Sequence, residues 1–141
     1  MKFVYNDGGR LLAGFIGTTG DCAARAIAIA TSIGYPHVYE AINQFAKRER
    51  RGSRKRGISN ARTGVYRQTI DRVMRTNGWT WTPTMRIGSG CTVHLKDGEL
   101  PMGNLMVVVS KHYVAVKDGV IHDTHDPSRN GTRCVYGYWK R

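Results

Sequence analysis

A chain of 141 residues with 40% hydrophobic and 23% charged content suits one globular domain and excludes a disordered or fibrous chain. It holds no apolar run long enough to span a bilayer, its polar Asn6-Asp7-Gly8 comes too early for a secretory signal, and its 3 distant cysteines argue against a disulfide framework and for a reducing, cytoplasmic setting. A formal charge of +12 predicts attraction to nucleic acid or another polyanion and says nothing of fold.

Phe3-Val4-Tyr5 reads as a short strand closed by the turn signal Asn6-Asp7-Gly8-Gly9. Gly17-Thr18-Thr19-Gly20-Asp21 then leads into Cys22-Ala23-Ala24-Arg25-Ala26-Ile27-Ala28-Ile29-Ala30, a small-residue apolar helix. Asp21 is an N-cap residue type, able to accept from the free N–H groups of the first turn. The two flanking glycines leave room for a substrate backbone. Gly34 reads as the helix stop and Pro36 as the start of a second helix, with Val38, Ala41, Ile42 and Phe45 on one face. From about 47 to 64, Lys, Arg, Gly and Ser predict a basic flexible loop. Val65 to Asn77 reads as a third helix, burying Tyr66, Ile70, Val73 and Met74 and stopped by Asn77-Gly78.

From Trp79 the period changes to that of strands. Trp79-Thr80-Trp81-Thr82, ended by Pro83, alternates as a half-buried strand does. Leu105–Val109 is a β-branched run of central-strand type. His112–Val116 and Val120–Thr124 flank the hairpin turn Lys117-Asp118-Gly119, and Cys134–Trp139 closes the set. Helices followed by an antiparallel sheet make the fold class α+β, as one domain over residues 1–141.

A cysteine at a helix start meets unpaired N–H groups and a positive dipole end, which favour thiolate over thiol. A nucleophile of this kind needs a base and a group that orients the base. Across the Lys117-Asp118-Gly119 hairpin, His112 and Asp123 come close enough to bond, with Asp126 the rival orienting group. Each residue alone has a plainer reading, Cys22 as a small core hydrophobe and the other two as strand-end polar groups. His122-Asp123-Thr124-His125-Asp126, with His112 or His94, offers metal-ligand types. Neighbours on a strand point to opposite faces, however, so no metal and no cofactor is expected. Cys91 has His94 nearby but no helix start, Cys134 reads as core, and Trp79 and Trp81 read as packing before substrate groove.

Gly20-Asp21-Cys22-Ala23-Ala24, then helices, then His112 on a hairpin followed by Asp123, resembles a compact papain-like cysteine peptidase over about Asp7 to Trp139. The same start, with the Val120-Ile121-His122-Asp123-Thr124 end, is similar to small phage and prophage proteins. The resemblance implies N-terminal helices, the nucleophile helix first, packed on a C-terminal antiparallel sheet. It gives Cys22 the role of nucleophile, His112 that of proton carrier and Asp123 that of orienting group, with the Cys22 backbone N–H binding the oxyanion. Ile16 stands where the family places the glutamine of its oxyanion hole, and Ala23 where papain itself has an aromatic. Thr18, Thr19 and Asn6 are the substitute donors. The implied function is hydrolysis of a peptide, isopeptide or related amide in a polypeptide substrate or a host or phage protein. The setting would be a host cytoplasm or a virion, away from membrane. Two other readings accompany it: an inhibitor of a host factor, or a non-catalytic module. The module would hold nucleic acid or a virion or ribonucleoprotein assembly through Arg48, Arg50, Arg51, Arg54, Lys55 and Arg56.

Overall fold

The computed structural model describes residues 1–17, 20–50 and 58–141. Its elements are β1 (Lys2–Tyr5), α1 (Cys22–Thr31), α2 (Tyr35–Ala46), α3 (Arg67–Thr76), β2 (Thr80–Pro83), β3 (Asn104–Val109), β4 (His112–Lys117), β5 (Val120–Asp123) and β6 (Val135–Lys140). The strands form one sheet in the order β1-β5-β4-β3-β6-β2. The fold class is therefore α+β, but the sheet is mixed, which corrects the antiparallel expectation. β1 runs parallel to β5, and the other pairs are antiparallel. All four residues of β1 are exposed, so hydrogen bonding along the sheet edge holds the strand rather than burial.

Ala-rich α1 has high helix propensity and buries seven side chains, Ala23, Ala24, Ala26, Ile27, Ala28, Ile29 and Ala30. Small residues let it lie close against the sheet. It ends at Ser32 in the left-handed conformation, so Gly34 caps the start of α2 rather than the end of α1. Val38 and Ile42 of α2 and Ile70, Val73 and Met74 of α3 join α1 against Met106, Val108, Ala115 and Trp139 of the sheet, while Tyr66 stays exposed. Trp139 Nε1 donates to Asp71 Oδ1 at 2.8 Å, fastening α3 to β6.

The alternate side chains of the same strands, Leu105, Val107, Val109, Val114, Val116 and Ile121, face the other way. No helix among the described residues packs on that face. Leu95 and Val93 come over it from the loop after β2, and a Cys91–Cys134 disulfide anchors that loop to the chain entering β6. The disulfide corrects the expectation that all three cysteines are free, and it removes the ground on which a reducing compartment was inferred. No helix among the described residues is long and apolar enough to cross a membrane.

The flexible-loop reading of 47–64 is corrected where the structure describes it. Ser59 and Ala61 are buried, Glu49 accepts from the Ser59 N–H at 2.7 Å, and Asn43 accepts from the Ala61 N–H at 3.0 Å. Polar partners on α2 and just beyond it hold this turn, which hydropathy alone does not reveal. Residues 51–57 lie outside the described residues.

Gly137 on β6 lies under the Trp81 ring, and a Cβ there would also come within 2.8 Å of the Thr82 carbonyl oxygen. Gly137→Ala is expected to destabilise the chain by about 1–3 kcal/mol through overpacking. A fall in the urea midpoint checks it, and an unchanged midpoint would show that β2 yields freely.

Candidate active site

Two tight turns place the site. Val109 pairs with His112, so Ser110-Lys111 is a two-residue loop with Lys111 at φ 55°, and it delivers His112 to the first position of β4. Lys117 pairs with Val120, and Asp118 and Gly119 take φ 49° and 77° in the second turn. The β4–β5 register puts Ala115 opposite His122. Extended by one residue, it sets Asp123 opposite Val114 and diagonal to His112. Across that diagonal His112 Nε2 and Asp123 Oδ2 are 2.6 Å apart. Asp126 is turned elsewhere, accepting from the Ser128 N–H at 2.9 Å. Asp123 Oδ1 accepts from the Thr124 N–H at 2.7 Å, which fixes the carboxylate plane.

Cys22 and His112 are close enough for each to act on the other's titration, so the thiol and the imidazole are neighbours. Cys22 is half-buried at the first residue of α1. Burial pushes its thiol up, but the His112 hydrogen bond and charge, the Tyr113 backbone N–H and the Arg25 charge outweigh burial and leave it below 9.0. Burial would lower His112, yet its hydrogen bonds to Asp123 and Cys22 and their charges push it up to about 9. Asp123 is held below 3.8, because the bond to His112 and that residue's charge overcome the upward push of burial. All three shifts favour the charged forms, thiolate, imidazolium and carboxylate, beyond their ordinary balance.

Asp21 differs from its sequence reading. It makes no side-chain cap bond to α1. Its carboxylate is 1% exposed and bonds Arg25, Arg10 Nε at 3.1 Å and Tyr35 Oη at 2.6 Å. Arg25 also extends Nη2 to 3.7 Å from Asp123 Oδ1, so one guanidinium joins the residue before Cys22 to the carboxylate bonded to His112. A carboxylate beside Cys22 would oppose the thiolate, and Arg10 and Arg25 offset it. Sequence reasoning passed over Arg25. The available signal was a lone charge in an Ala/Ile helix, one turn from Asp21 and three residues from Cys22.

The other candidates fall away from this centre. Asn6 directs its side-chain NH2 to His122 Nδ1 at 3.3 Å and accepts from the Gly8 N–H through Oδ1 at 2.8 Å. Thr18 and Thr19 lie outside the described residues, as do Arg51, Arg54, Lys55 and Arg56. Arg48 lies over the Phe45 ring at 5.1 Å, and Arg50 is exposed. Gly20 packs against loop 58–64 rather than leaving space for substrate, since a Cβ there would sit 3.1 Å from the Thr63 carbonyl oxygen. Cys91 approaches His94 Nε2 at 3.5 Å, but its sulfur is bonded to Cys134 and offers no thiolate. His125 stacks beside His112 with ring centroids 5.1 Å apart. One ligand atom from each of His112, Asp123 and His125 lies within 4.8 Å of the others. An ion held there would have to break the 2.6 Å bond that orients the imidazole.

No protein-family model, curated protein or solved structure matches the chain.

Proposed function

We propose that the chain is a thiol hydrolase working through a Cys22–His112–Asp123 triad. More particularly, we read it as a papain-like enzyme that cleaves a peptide, isopeptide or related amide bond of a polypeptide. The observation that carries this is the 2.6 Å bond from His112 Nε2 to the Asp123 carboxylate, supported by the mutual influence of His112 and the half-buried Cys22 on each other's titration. The papain-like and phage likenesses rest on the helix-first order and on the two motifs, at residues 20–24 and 120–124.

The Cys22 thiolate adds to the amide carbonyl carbon, and the oxygen takes up the negative charge near the Cys22 backbone N–H. Imidazolium His112 passes its Nδ1 proton to the leaving nitrogen as the C–N bond breaks, which leaves a thioester on Cys22. His112 then removes a proton from water, hydroxide adds to the thioester carbon, and collapse releases the carboxylic acid and restores the ion pair. Ile16 is 73% exposed and offers no amide to the oxyanion. A missing donor costs about 10²–10³ in rate, so turnover is expected to be slow.

The test is a pH profile of amide hydrolysis beside one of Cys22 alkylation. Cys22 is the free cysteine, with Cys91 and Cys134 paired, so iodoacetamide reads one thiol. Alkylation should rise as pH passes upward through the lowered Cys22 value and should not fall again, because thiolate persists. Hydrolysis should rise with it and then fall as pH passes through about 9, where His112 loses the proton that the leaving nitrogen needs. Cys22→Ala should abolish hydrolysis. Alkylation that rises only near 9.0, as for an unassisted thiol, would sink the reading.

A further inference from the structure

We propose that the groove between α3 and β2, whose lining holds no triad residue, is a binding site for single-stranded nucleic acid. The groove has a volume of about 630 Å³ and is lined by Arg67, Gln68 and Arg75 from α3 and by Trp81 and Trp139 from the sheet. Trp139 is buried, with its ring centroid 4.6 Å from that of Trp81. Trp81 is half-buried, and the Arg67 guanidinium lies 5.1 Å above it. The two rings are tilted by 52° to each other, and the outermost group of this ladder is the exposed Arg67 cation. A guanidinium plane backed by an indole is a surface on which an unpaired base stacks, and stacking of that kind tolerates any base.

The charge around the ladder suits a phosphate backbone. Arg75 has a side chain 74% exposed, and Arg72 is exposed on the same helix. Arg141 comes over Gly78 where α3 ends. The one carboxylate in the groove, Asp71, accepts from Trp139 Nε1 at 2.8 Å and lies 3.7 Å from Arg75. It is thus engaged by protein partners. No carboxylate among the described residues lies within ion-pair distance of Arg67, which leaves its charge for a ligand. The net charge of +12 supplies the long-range attraction. An acidic polypeptide would answer the charge but leave the stacking ladder without a role, so the planar surface favours nucleic acid.

Titrating the full chain with an oligodeoxythymidylate of about ten nucleotides, read by tryptophan fluorescence, tests this. Saturable quenching is expected, with affinity falling steeply as salt rises. Arg67→Ala should weaken binding about tenfold at fixed salt, with Arg67→Lys restoring only the charge-dependent part. Trp81→Ala should act in the same direction, but it also empties the packing over Gly137, so exposed Arg67 is the deciding position. Absence of saturable quenching, wild-type affinity in Arg67→Ala, or equal competition by polyglutamate at matched charge would each overturn the proposal. None of these results would bear on the alkylation profile of Cys22.

Discussion

With His112 replaced by alanine, Cys22 is expected to react with iodoacetamide at neutral pH up to about a hundredfold more slowly than in the unaltered chain. At pH 7 a thiol at its ordinary value of 9.0 is thiolate in about one molecule in a hundred, which sets the scale of what the imidazole contributes. Burial of Cys22 persists in the variant and now acts against only the Tyr113 N–H and the Arg25 charge. Asp123→Asn separates the roles further. It removes the charge that raises His112 and leaves a weaker, neutral acceptor in its place, so the alkaline limb of hydrolysis, near pH 9 in the unaltered chain, should move downward. Equal alkylation rates in the unaltered chain and the His112 variant would mean that the two side chains share no proton, and the triad would fail with it.

The second large effect is structural. Asp21→Ala is expected to cost about 3 kcal/mol of stability, read from urea unfolding, because it takes the shared carboxylate from two part-buried guanidinium groups and leaves Arg25 only the 3.7 Å contact with Asp123 and Arg10 only backbone carbonyls. An N-cap carries a much smaller loss of about 1 kcal/mol. Asp21→Ser distinguishes the two roles, since serine caps a helix well but brings no charge for Arg10 and Arg25. A serine variant as stable as the unaltered chain would return Asp21 to the capping role that its sequence position suggests. A serine variant as weak as the alanine one identifies the charge as the stabilising feature. The Asp21 substitution should also slow alkylation of Cys22 by displacing Arg25, which contributes to the thiolate field and reaches toward Asp123.

Sequence and structure agree most closely where the determinant is local. Alanine content made α1 a helix, β-branching made β3 a strand, and Asp118-Gly119 made the hairpin that carries Asp123 to His112. These depend on a residue and its immediate neighbours, so Cys22, His112 and Asp123 could be placed in one line of reasoning before any coordinates. The oxyanion donor could not, because a side chain's availability depends on what else it bonds. Asn6 is a suitable donor by type and is already occupied by His122 and Gly8.

Contacts between distant segments settled the remainder. The parallel seat of β1 on β5 joins residues more than a hundred positions apart, and four exposed side chains carry no mark of it. The Cys91–Cys134 bond joins residues 43 positions apart and ties down the loop whose Val93 and Leu95 pack on the second sheet face, a proximity that appears only once the sheet is assembled. Arg25 gains its meaning only when α1 packs so that one guanidinium reaches both Asp21 and Asp123. Local propensities act through the covalent chain over a few residues, whereas pairing, burial and charge neutralisation act through space. The residue types of the proposed triad were therefore legible in order along the chain, while their orientation, their counter-charges and the neighbouring Arg–Trp groove belong to the packed molecule.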